Sequence, residues 1–218
     1  MDIFLENNID QLKRDYPSIH EGVMTNKAFL YRQGDLCGNI ICIKSGIVKL
    51  SHLTAQGNEI ATALLKQGDI TGNLDGLIHP LMEESAQAIG SVGFYRMTHD
   101  DFKRLLSRHA ELAWHVLTAT QARKQQLERK LRTILTQPVE MRLATMLLEL
   151  AGTFGIRCSH GYALEIHLTQ QDVADLIGAS RPVVSTVLND FRSRGMLDYT
   201  RDQICIHDAA LLDFCSAK

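Results

Sequence analysis

A segment near the C-terminus brings together residue types that bind DNA. Thr169 is of the kind that caps a helix N-terminus, and Asp172 stands where a capping box carries its acidic side chain. Gly178 permits a sharp turn, and Ser180 with Pro182 predicts the cap and first turn of a second helix. Two helices joined in this way form a helix-turn-helix, which lays its second helix in the major groove of DNA.

The second predicted helix has two faces of different chemistry. Its apolar residues recur at helical spacing and are expected to face the core: Val184, Val187, Leu188 and Phe191. The opposite face carries groups that suit base edges and phosphates: Arg181, Pro182, Ser185, Thr186 and Asn189. The expected phosphate anchors are Thr169, Gln170 and Ser180. The alternative is an ordinary helix pair with a solvated polar face.

Short predicted strands flank this motif. Residues 163–168 alternate as a strand does, and residues 196–199 and 203–206 predict two strands about a turn at 200–202. Upstream, residues 139–151 follow a proline and have the spacing of an amphipathic helix. A helix-turn-helix bracketed by small strands is a winged helix.

The composition is that of an ordinary globular protein. Of 218 residues, 45% are hydrophobic and 22% are charged, and the length allows two small domains. No apolar run approaches the roughly 20 residues of a membrane span, and the N-terminus lacks the basic start of a signal peptide. We therefore expect a cytoplasmic protein without a membrane partner.

The charge balance argues against a general polyanion binder. The net charge is −2, and residues 137–218 hold seven Lys or Arg against ten Asp or Glu. A generic nucleic-acid binder normally shows a basic face. A sequence-specific dimer that doubles a few well-placed contacts remains compatible with this charge.

The cysteines predict neither a disulfide framework nor a zinc finger. There are five, without a CxxC pair: Cys37, Cys42, Cys158, Cys205 and Cys215. Cys37 lies in a predicted loop, where thiol sensing would need a positive neighbourhood that the sequence does not show. The chain has no P-loop, HExxH, glycine-rich dinucleotide turn or nucleophile motif, so we expect no enzyme.

The first half is predicted to be β-rich from residue 28 to about residue 97. Turn signals separate short apolar runs and lie at residues 34–35, 45–46, 56–58 and 68–69. The runs themselves predict strands over residues 39–43, 47–50 and 60–65. Such spacing suggests a jelly-roll-like barrel, followed by a short helix over residues 101–108.

A long helix is predicted over residues 110–136. Its apolar stripe consists of Leu112, Ala113, Val116 and Leu117, and it resumes at Leu127, Leu131, Ile134 and Leu135. A long helix with such a seam favours a dimer interface. The polar gap at residues 121–126 either borders a polar ligand or faces water.

Over nearly its whole length the chain resembles the Crp/Fnr superfamily, the bacterial regulators typified by the cAMP receptor protein. The β-roll of that family is matched by residues 32–35, 43–50 and 66–72, and its helix-turn-helix by residues 168–191. The resemblance implies a cytoplasmic homodimer that binds palindromic promoter DNA and receives a small-molecule or redox signal in its β-roll. It also implies contact with RNA polymerase, through the loop at 155–162 and the turn at 54–59.

Departures from the family pattern argue against cAMP as the effector. Its cAMP-binding members use a glutamate for the ribose and an Arg-Ser pair for the cyclic phosphate. This chain has Asn73 and Glu84–Ser85 at those positions, and Leu127–Glu128 where the long helix offers Thr-Ser to adenine. A carboxylate placed against a phosphate is repulsive, so we expect no productive cAMP binding.

The other effectors of the family are supported weakly or not at all. No cysteine precedes Cys37, so the N-terminal cluster of the iron–sulfur members is missing, and residues 70–74 lack the Cys and His of the haem-binding carbon-monoxide sensors. Haem held by His20, His79 or His115 stays open. Arg123 and Glu128 resemble the pair that binds 2-oxoglutarate in the nitrogen-control branch, although the cassette arginine of that branch is absent. The candidate effector residues are Gly72, Asn73, Leu74, Ser85, Arg123 and Glu128.

The recognition helix also departs from the family. Its Arg-Glu pair and later arginine commonly read G·C pairs, and this chain keeps only the first arginine, as Arg181, with Pro182 and Thr186 at the other two positions. Arg181 is expected to bind guanine O6 and N7. We therefore expect one strongly specified guanine per half-site, with the rest read by weaker contacts and DNA shape.

These observations predict an α+β protein with three segments. They are an N-terminal β-roll (jelly-roll) sensor over 1–109, a long dimerisation helix and hinge over 110–137, and a winged helix-turn-helix domain over 138–218. The predicted function is a homodimeric, sequence-specific transcription regulator, an activator by family habit, controlled by an unknown small molecule or redox signal other than cAMP. The alternatives are the same scaffold with an empty pocket, active without effector, and a haem- or ligand-binding sensor with little DNA selectivity.

Overall fold

The computed structural model describes residues 2–36, 38–74, 80–200 and 203–216 of the chain. The chain divides into two compact units between Leu127 and Glu128. This division falls inside the long helix predicted over residues 110–136. Among the described residues, no helix is long and apolar enough to cross a membrane.

The first unit is built on an antiparallel sheet. Its elements are α1 (Asp2–Asp15), β1 (His20–Met24), β2 (Phe29–Tyr31), β3 (Ile40–Leu53), β4 (Glu59–Leu65), β5 (Ile70–Thr71), β6 (Ser85–Met97), α2 (His99–Arg108) and the first part of α3 (Ala110–Thr136). The strands run in the order β1-β6-β3-β4, with β2 paired to β6 and β5 paired to β3. The predicted β-rich half is confirmed, although it begins at β1 and not at residue 28.

Strand β3 has a separate core on each of its faces. Ile41 and Ile43 belong to a buried cluster inside the roll, together with Val48, Leu50, Ala86 and Phe94. Ile40 and Cys42 belong to a second cluster that packs against the helices through Tyr16, Phe102, Leu105 and Leu112. An apolar run without alternation is what burial on both faces requires.

The predicted turn at Ser45–Gly46 is wrong, because β3 continues through it. The pairing of β3 with β6 shifts register on both sides of Ser45, so this point is a bulge inside one long strand. Gly46 has φ +83°, and a Cβ there would lie 2.2 Å from the carbonyl oxygen of Ser91. The glycine therefore marks a close backbone approach inside the sheet and not a chain reversal.

The second unit contains the predicted winged helix. Its elements after α3 are α4 (Val139–Phe154), β7 (Ile156–Cys158), β8 (Gly161–Leu164), α5 (Gln170–Ile177), α6 (Arg181–Ser193), β9 (Leu197–Tyr199), β10 (Ile204–Ile206) and α7 (Asp208–Ser216). The four strands form an antiparallel sheet in the order β7-β8-β10-β9.

Two predictions about this sheet are corrected. The strand predicted over 163–168 is β8 and ends at Leu164, because its partner β10 is only three residues long and the register stops there. The segment 155–162, expected to be a loop, is largely β-structure, since β7 pairs with β8 through Cys158 and Gly161. Helices α1 and α7 were not predicted.

The apolar residues of α3 fall into two groups, one buried in the core and one exposed. Leu112 is buried and Val116 packs against the same cluster, so these two residues belong to the core of the first unit and not to an exposed seam. Other large apolar side chains of α3 are exposed in the single chain: Trp114, Leu117, Leu127, Leu131, Ile134 and Leu135. Trp114 was not part of the predicted seam.

Candidate nucleic-acid interface and ligand cavity

Helix α5 begins at a complete capping box. The Thr169 hydroxyl oxygen accepts from the backbone N–H of Asp172 at 3.1 Å, and the Asp172 carboxylate accepts from the backbone N–H of Thr169 at 3.0 Å. The Thr169 hydroxyl also donates to that carboxylate at 2.6 Å. Thr169 therefore fixes the start of α5, and its hydroxyl hydrogen is engaged within the chain. Gln170, the next predicted phosphate anchor, is half-buried at the first residue of α5.

The turn between α5 and α6 is held by a glycine and an arginine. Gly178 ends α5 in the left-handed conformation, with φ +64° and ψ +48°. The Arg142 guanidinium of α4 donates through Nη1 to the carbonyl oxygens of Ile177 at 2.8 Å and Gly178 at 3.1 Å. A cation at this position satisfies helix-end carbonyls and opposes the negative end of the helix dipole. Arg142 was not singled out by the sequence, because nothing local links it to a turn 35 residues away.

The start of α6 differs in one respect from the prediction. Ser180 occupies the N-cap position with an extended backbone, but its side chain makes no capping hydrogen bond. Its carbonyl oxygen accepts from Val184 N at 3.1 Å, as the first helical bond. Pro182 lies in the first turn, as predicted, where its missing N–H costs little. The exposed Ser180 hydroxyl is therefore not committed to the helix start.

The two faces of α6 are as predicted. Val184, Val187, Leu188 and Phe191 are buried. Arg181, Pro182, Thr186 and Asn189 are exposed, and Ser185 is half-buried. The Thr186 hydroxyl donates to the Pro182 carbonyl oxygen at 3.1 Å, so its methyl group is the part that remains available for an apolar contact.

The wing strand β9 positions one residue of the recognition face. The Tyr199 hydroxyl donates to Asn189 Oδ1 at 2.9 Å, which fixes the amide and leaves its two N–H donors without a hydrogen-bond partner among the described residues. Tyr199 was missed by the sequence analysis, since its contact with Asn189 depends on how β9 packs beside α6.

Charges around α6 are largely neutralised. Arg192 lies 3.5 Å from the Asp198 carboxylate, and Arg194 lies 3.3 Å from that of Asp190. Within the described residues, Arg181 forms no ion pair and no hydrogen bond. The Arg181 guanidinium is therefore available to bind a ligand.

A separate cavity of about 360 Å³ lies in the first unit. It is lined by His52, Gly72, Asn73, Met82, Glu83 and Glu84. Gly72 has φ +103°, and a Cβ there would lie 2.7 Å from the Asn39 carbonyl oxygen, so only glycine fits the backbone at this point. Two carboxylates make the lining acidic, which disfavours an anionic ligand.

Glu84 is tied into a chain of polar side chains. Arg123 of α3 donates through Nη2 to both carboxylate oxygens of Glu84, at 3.3 and 3.4 Å. The Tyr31 hydroxyl bonds the Thr71 hydroxyl and approaches Glu84 at 3.5 Å. Burial raises the pKa of Tyr31, and the Glu84 charge adds to this, so Tyr31 stays a neutral donor at any physiological pH.

The predicted effector residues are only partly brought together. Gly72 and Asn73 line the cavity, and Arg123 adjoins it through Glu84. Leu74 is exposed and Glu128 belongs to the second unit, and neither is a lining residue. Ser85 follows Glu84, and its hydroxyl oxygen accepts from the backbone N–H of Gln33 at 2.9 Å.

Two of the histidine candidates, His20 and His115, do not line this cavity. His20 is exposed on β1 and bonds the Ser18 carbonyl oxygen, and His115 is exposed on α3. His79 and Cys37 lie outside the described residues.

Comparison with known proteins gives the same domain pair throughout. Residues 24–109 match the model of the cyclic nucleotide-binding domain, and residues 141–214 match that of the Crp-like helix-turn-helix domain. The chain is 27% identical to the global nitrogen regulator of Nostoc sp. over 90% of its own length and 89% of the relative. It is 26% identical to the CRP-like cAMP-activated global transcriptional regulator of Mycobacterium tuberculosis, over 84% and 82%.

Solved structures agree on the fold. A CooA variant from Carboxydothermus hydrogenoformans superposes with a TM-score of 0.77 at 22% identity, over 94% of this chain and 90% of that one. The c-di-GMP responsive regulator CLP of Xanthomonas campestris superposes with a TM-score of 0.78 at 18% identity, over 91% and 99%. At these identities the likeness concerns the fold alone.

The role of Arg142 is testable by substitution. Arg142→Met removes both hydrogen bonds to the end of α5 but keeps most of the apolar stem. We expect it to destabilise the second unit by about 3 kcal/mol or more, because each of the two charge-assisted bonds contributes roughly 1.5–3 kcal/mol. Hydrogen exchange should show faster exchange at the amides of Ala179 and Val184. Arg142→Lys keeps the charge near the helix end and should recover part of the protection, whereas unchanged exchange in Arg142→Met would contradict the assignment.

Proposed function

The chain belongs to the Crp/Fnr family of DNA-binding transcription regulators, and we propose that it acts as a homodimer that reads palindromic promoter DNA through α6. The family assignment makes it a regulator and not an enzyme. The observation that carries the proposal is the exposed polar face of α6, where Arg181 has no ion-pair partner among the described residues and Asn189, two turns further along, is held by Tyr199.

Dimerisation is supported by the exposed apolar residues of α3. Leu117 and Leu131 are each 58% exposed, and Trp114 is 64% exposed. Large apolar side chains that recur along one long helix usually cover a partner helix. A symmetric dimer places its two recognition helices in successive major grooves, about 34 Å apart.

The DNA contacts fall into two kinds. Arg181 reads one guanine in each half-site through O6 and N7, and the methyl of Thr186 and the ring of Pro182 make apolar contacts. Phosphates or neighbouring base edges are contacted by Ser180, Gln170, Ser185 and the side-chain amide N–H groups of Asn189. Thr169 positions these residues by fixing the start of α5. Because Arg192 and Arg194 are already paired with acids, nonspecific affinity is low and the salt dependence is shallow.

The effector is a small molecule other than cAMP that enters the cavity of the first unit. Glu83 and Glu84 oppose a cyclic phosphate, and Arg123 is already neutralised by Glu84. A ligand that separates this pair would move α3 at Arg123. The same ion pair favours a second candidate, in which the cavity stays empty and the regulator is active without effector.

Activation of transcription is the proposed output. The turn between β3 and β4, closed by the Thr54 N–H bond to the Asn58 carbonyl oxygen, and the β7–β8 hairpin correspond to the segments expected to contact RNA polymerase. The protein works in the cytoplasm, where its DNA and polymerase are found.

Arg181 tests the DNA readout. A binding site is first selected from random duplexes with the full-length protein, and affinities are then measured by fluorescence anisotropy. Arg181→Ala should weaken the selected site about 10- to 100-fold, since a bidentate guanine contact contributes roughly 1–3 kcal/mol, and should change random DNA far less. Arg192→Ala removes the same charge from the same helix and is the control, with a small effect on both. If Arg181→Ala lost affinity equally for the selected site and for random DNA, the assignment of Arg181 to guanine recognition would be contradicted.

Leu131 tests the dimer. Leu131→Asp places a carboxylate on the proposed α3 seam and should convert the dimer to a monomer in analytical ultracentrifugation, because a buried unpaired charge is strongly unfavourable. Leu212→Asp is the control, since Leu212 is a helical leucine of similar exposure (51%) outside that seam. A wild-type monomer, or a dimer in Leu131→Asp, would contradict the interface.

Native mass spectrometry tests the effector. Protein purified gently from cells should carry one extra mass per subunit, and addition of cAMP should add none. Glu84→Gln should change retention of that mass, because it uncouples Arg123. A dimer without added mass that still binds the selected site at full affinity would favour the effector-independent candidate, and stoichiometric cAMP binding would refute the exclusion of cAMP.

A further inference from the structure

Three side chains that could bind metal lie together in the winged sheet of the second unit. Cys158 Sγ and Cys205 Sγ are 3.8 Å apart, and a ring nitrogen of His160 lies within 4.8 Å of both. They come from the end of β7, the turn after it and the middle of β10. No role in DNA binding or in the sensor cavity uses any of the three.

The sequence contains two similar Cys-x-His units that the fold brings together. Cys158 and His160 form one, and Cys205 and His207 form the other. Because β8 pairs with both β7 and β10, these units meet on one sheet although 47 residues separate the two cysteines. The sequence analysis found no CxxC pair and did not single out this cluster, because its members meet only in the folded sheet.

The backbone geometry disfavours a disulfide between the two thiols. Strand β8 lies between β7 and β10, and neighbouring strands are about 4.8 Å apart. The backbones of Cys158 and Cys205 are thus separated by roughly twice that spacing, whereas disulfides need Cα atoms within about 6.8 Å.

The sulfur separation matches a tetrahedral metal site instead. With metal–sulfur bonds of about 2.3 Å, two thiolates on one zinc ion lie about 3.8 Å apart. Space is available because Gly161, which pairs with Cys158, and Ala163, which pairs with Cys205, have no bulky side chain. Two thiolates with an imidazole are a soft donor set that selects zinc over magnesium or calcium.

We propose that Cys158, His160 and Cys205 bind one zinc ion that links β7 to β10. Solvent takes the fourth position. On binding, the two thiols release their protons to solvent and no redox step occurs. The ion would fasten the β7–β8 hairpin to the wing strand β10, whose neighbour β9 carries Tyr199. This site goes beyond the proposed function and does not depend on it.

His207 stands beside the site. Its ring centroid is 5.5 Å from that of His160, and its Nδ1 bonds the Gly195 carbonyl oxygen at 2.7 Å. Its Nε2 lies 3.9 Å from the Asp198 carboxylate. His207 is thus a polar neighbour of the ligand His160, and Asp198 adjoins His207.

Zinc stoichiometry and cobalt spectroscopy test the proposal on the full chain. The protein is reduced, stripped with a chelator, mixed with zinc chloride and gel-filtered before metal analysis. We expect one zinc per chain, and in a parallel cobalt titration the intense visible bands of tetrahedral coordination with thiolate-to-cobalt charge transfer. Zinc should also raise the thermal midpoint of the second unit, since it binds the folded state, where the three ligands are brought together, more tightly than the unfolded chain.

Cys158→Ser is the diagnostic variant, because Cys158 is exposed and its loss should not affect folding of the metal-free protein. It should lower zinc affinity at least tenfold and markedly weaken the charge-transfer band, because one of the two thiolates is lost. Cys215→Ser is the matched control, since it removes another thiol of the same unit outside the cluster and should bind zinc normally.

Failure of the wild type to retain zinc, equal retention by Cys158→Ser, or octahedral cobalt without charge transfer would overturn the proposal. The selected-DNA affinity of metal-free protein is measured separately, so failure of the zinc site does not bear on DNA binding.

Discussion

The burial of one face of α6 is the constraint on which the recognition surface depends. Val184 and Phe191 are completely buried, and they fix the rotation of the helix about its own axis. Only with that rotation does Arg181 lie on the solvent side with Asn189, two turns further along. Gly178 and Arg142 then fix where the helix begins, through the turn before it. A loss of packing on the hidden face would therefore misdirect the DNA contacts without touching any of them.

Electrostatics explain how an acidic C-terminal segment is compatible with the proposed selectivity for DNA. Residues 137–218 carry three more acidic than basic residues, and the acids next to α6 are used to pair Arg192 and Arg194. Surface pairs of this kind add little stability, about 0–1 kcal/mol each. Their larger effect is to cancel charge that would attract any polyanion. Discrimination between DNA sequences then depends mainly on the geometry of a few side chains on α6, of which Arg181 is the charged one. The overall electrostatic field of the domain contributes less.

Local sequence signals predicted what local interactions determine. The capping box of Thr169 and Asp172, the left-handed Gly178 and the two faces of α6 lie within a few residues of their partners, and each was predicted. Some failures were local, since Ser180 makes no side-chain cap and residues 155–162 form a hairpin, but others depend on distant partners. Continuation of β3 through Gly46 is fixed by the approach of Ser91, and the contacts of Arg142, Tyr199 and the Cys158–Cys205 pair arise only when strands or helices far apart in the chain meet. Glu84 could be recognised as a departure, but its pairing with Arg123 could not.

The cavity of the first unit shows why its fold and its ligand can vary independently. The backbone there is fixed by Gly72 against Asn39 and by the pairing of β5 and β6 with β3, none of which involves the side chain of Glu84. At this position the chain carries Glu84, an anion, where the cAMP-binding members carry an arginine. The exchange reverses the charge of the cavity lining, while the strands keep their register. The charge of Glu84 is balanced by Arg123 of α3. An ion pair therefore links the cavity to the helix that carries the exposed apolar residues. A ligand in the proposed effector cavity would therefore act on α3 through this ion pair, and it could shift the position of α3 only by as much as it binds the two arrangements differently.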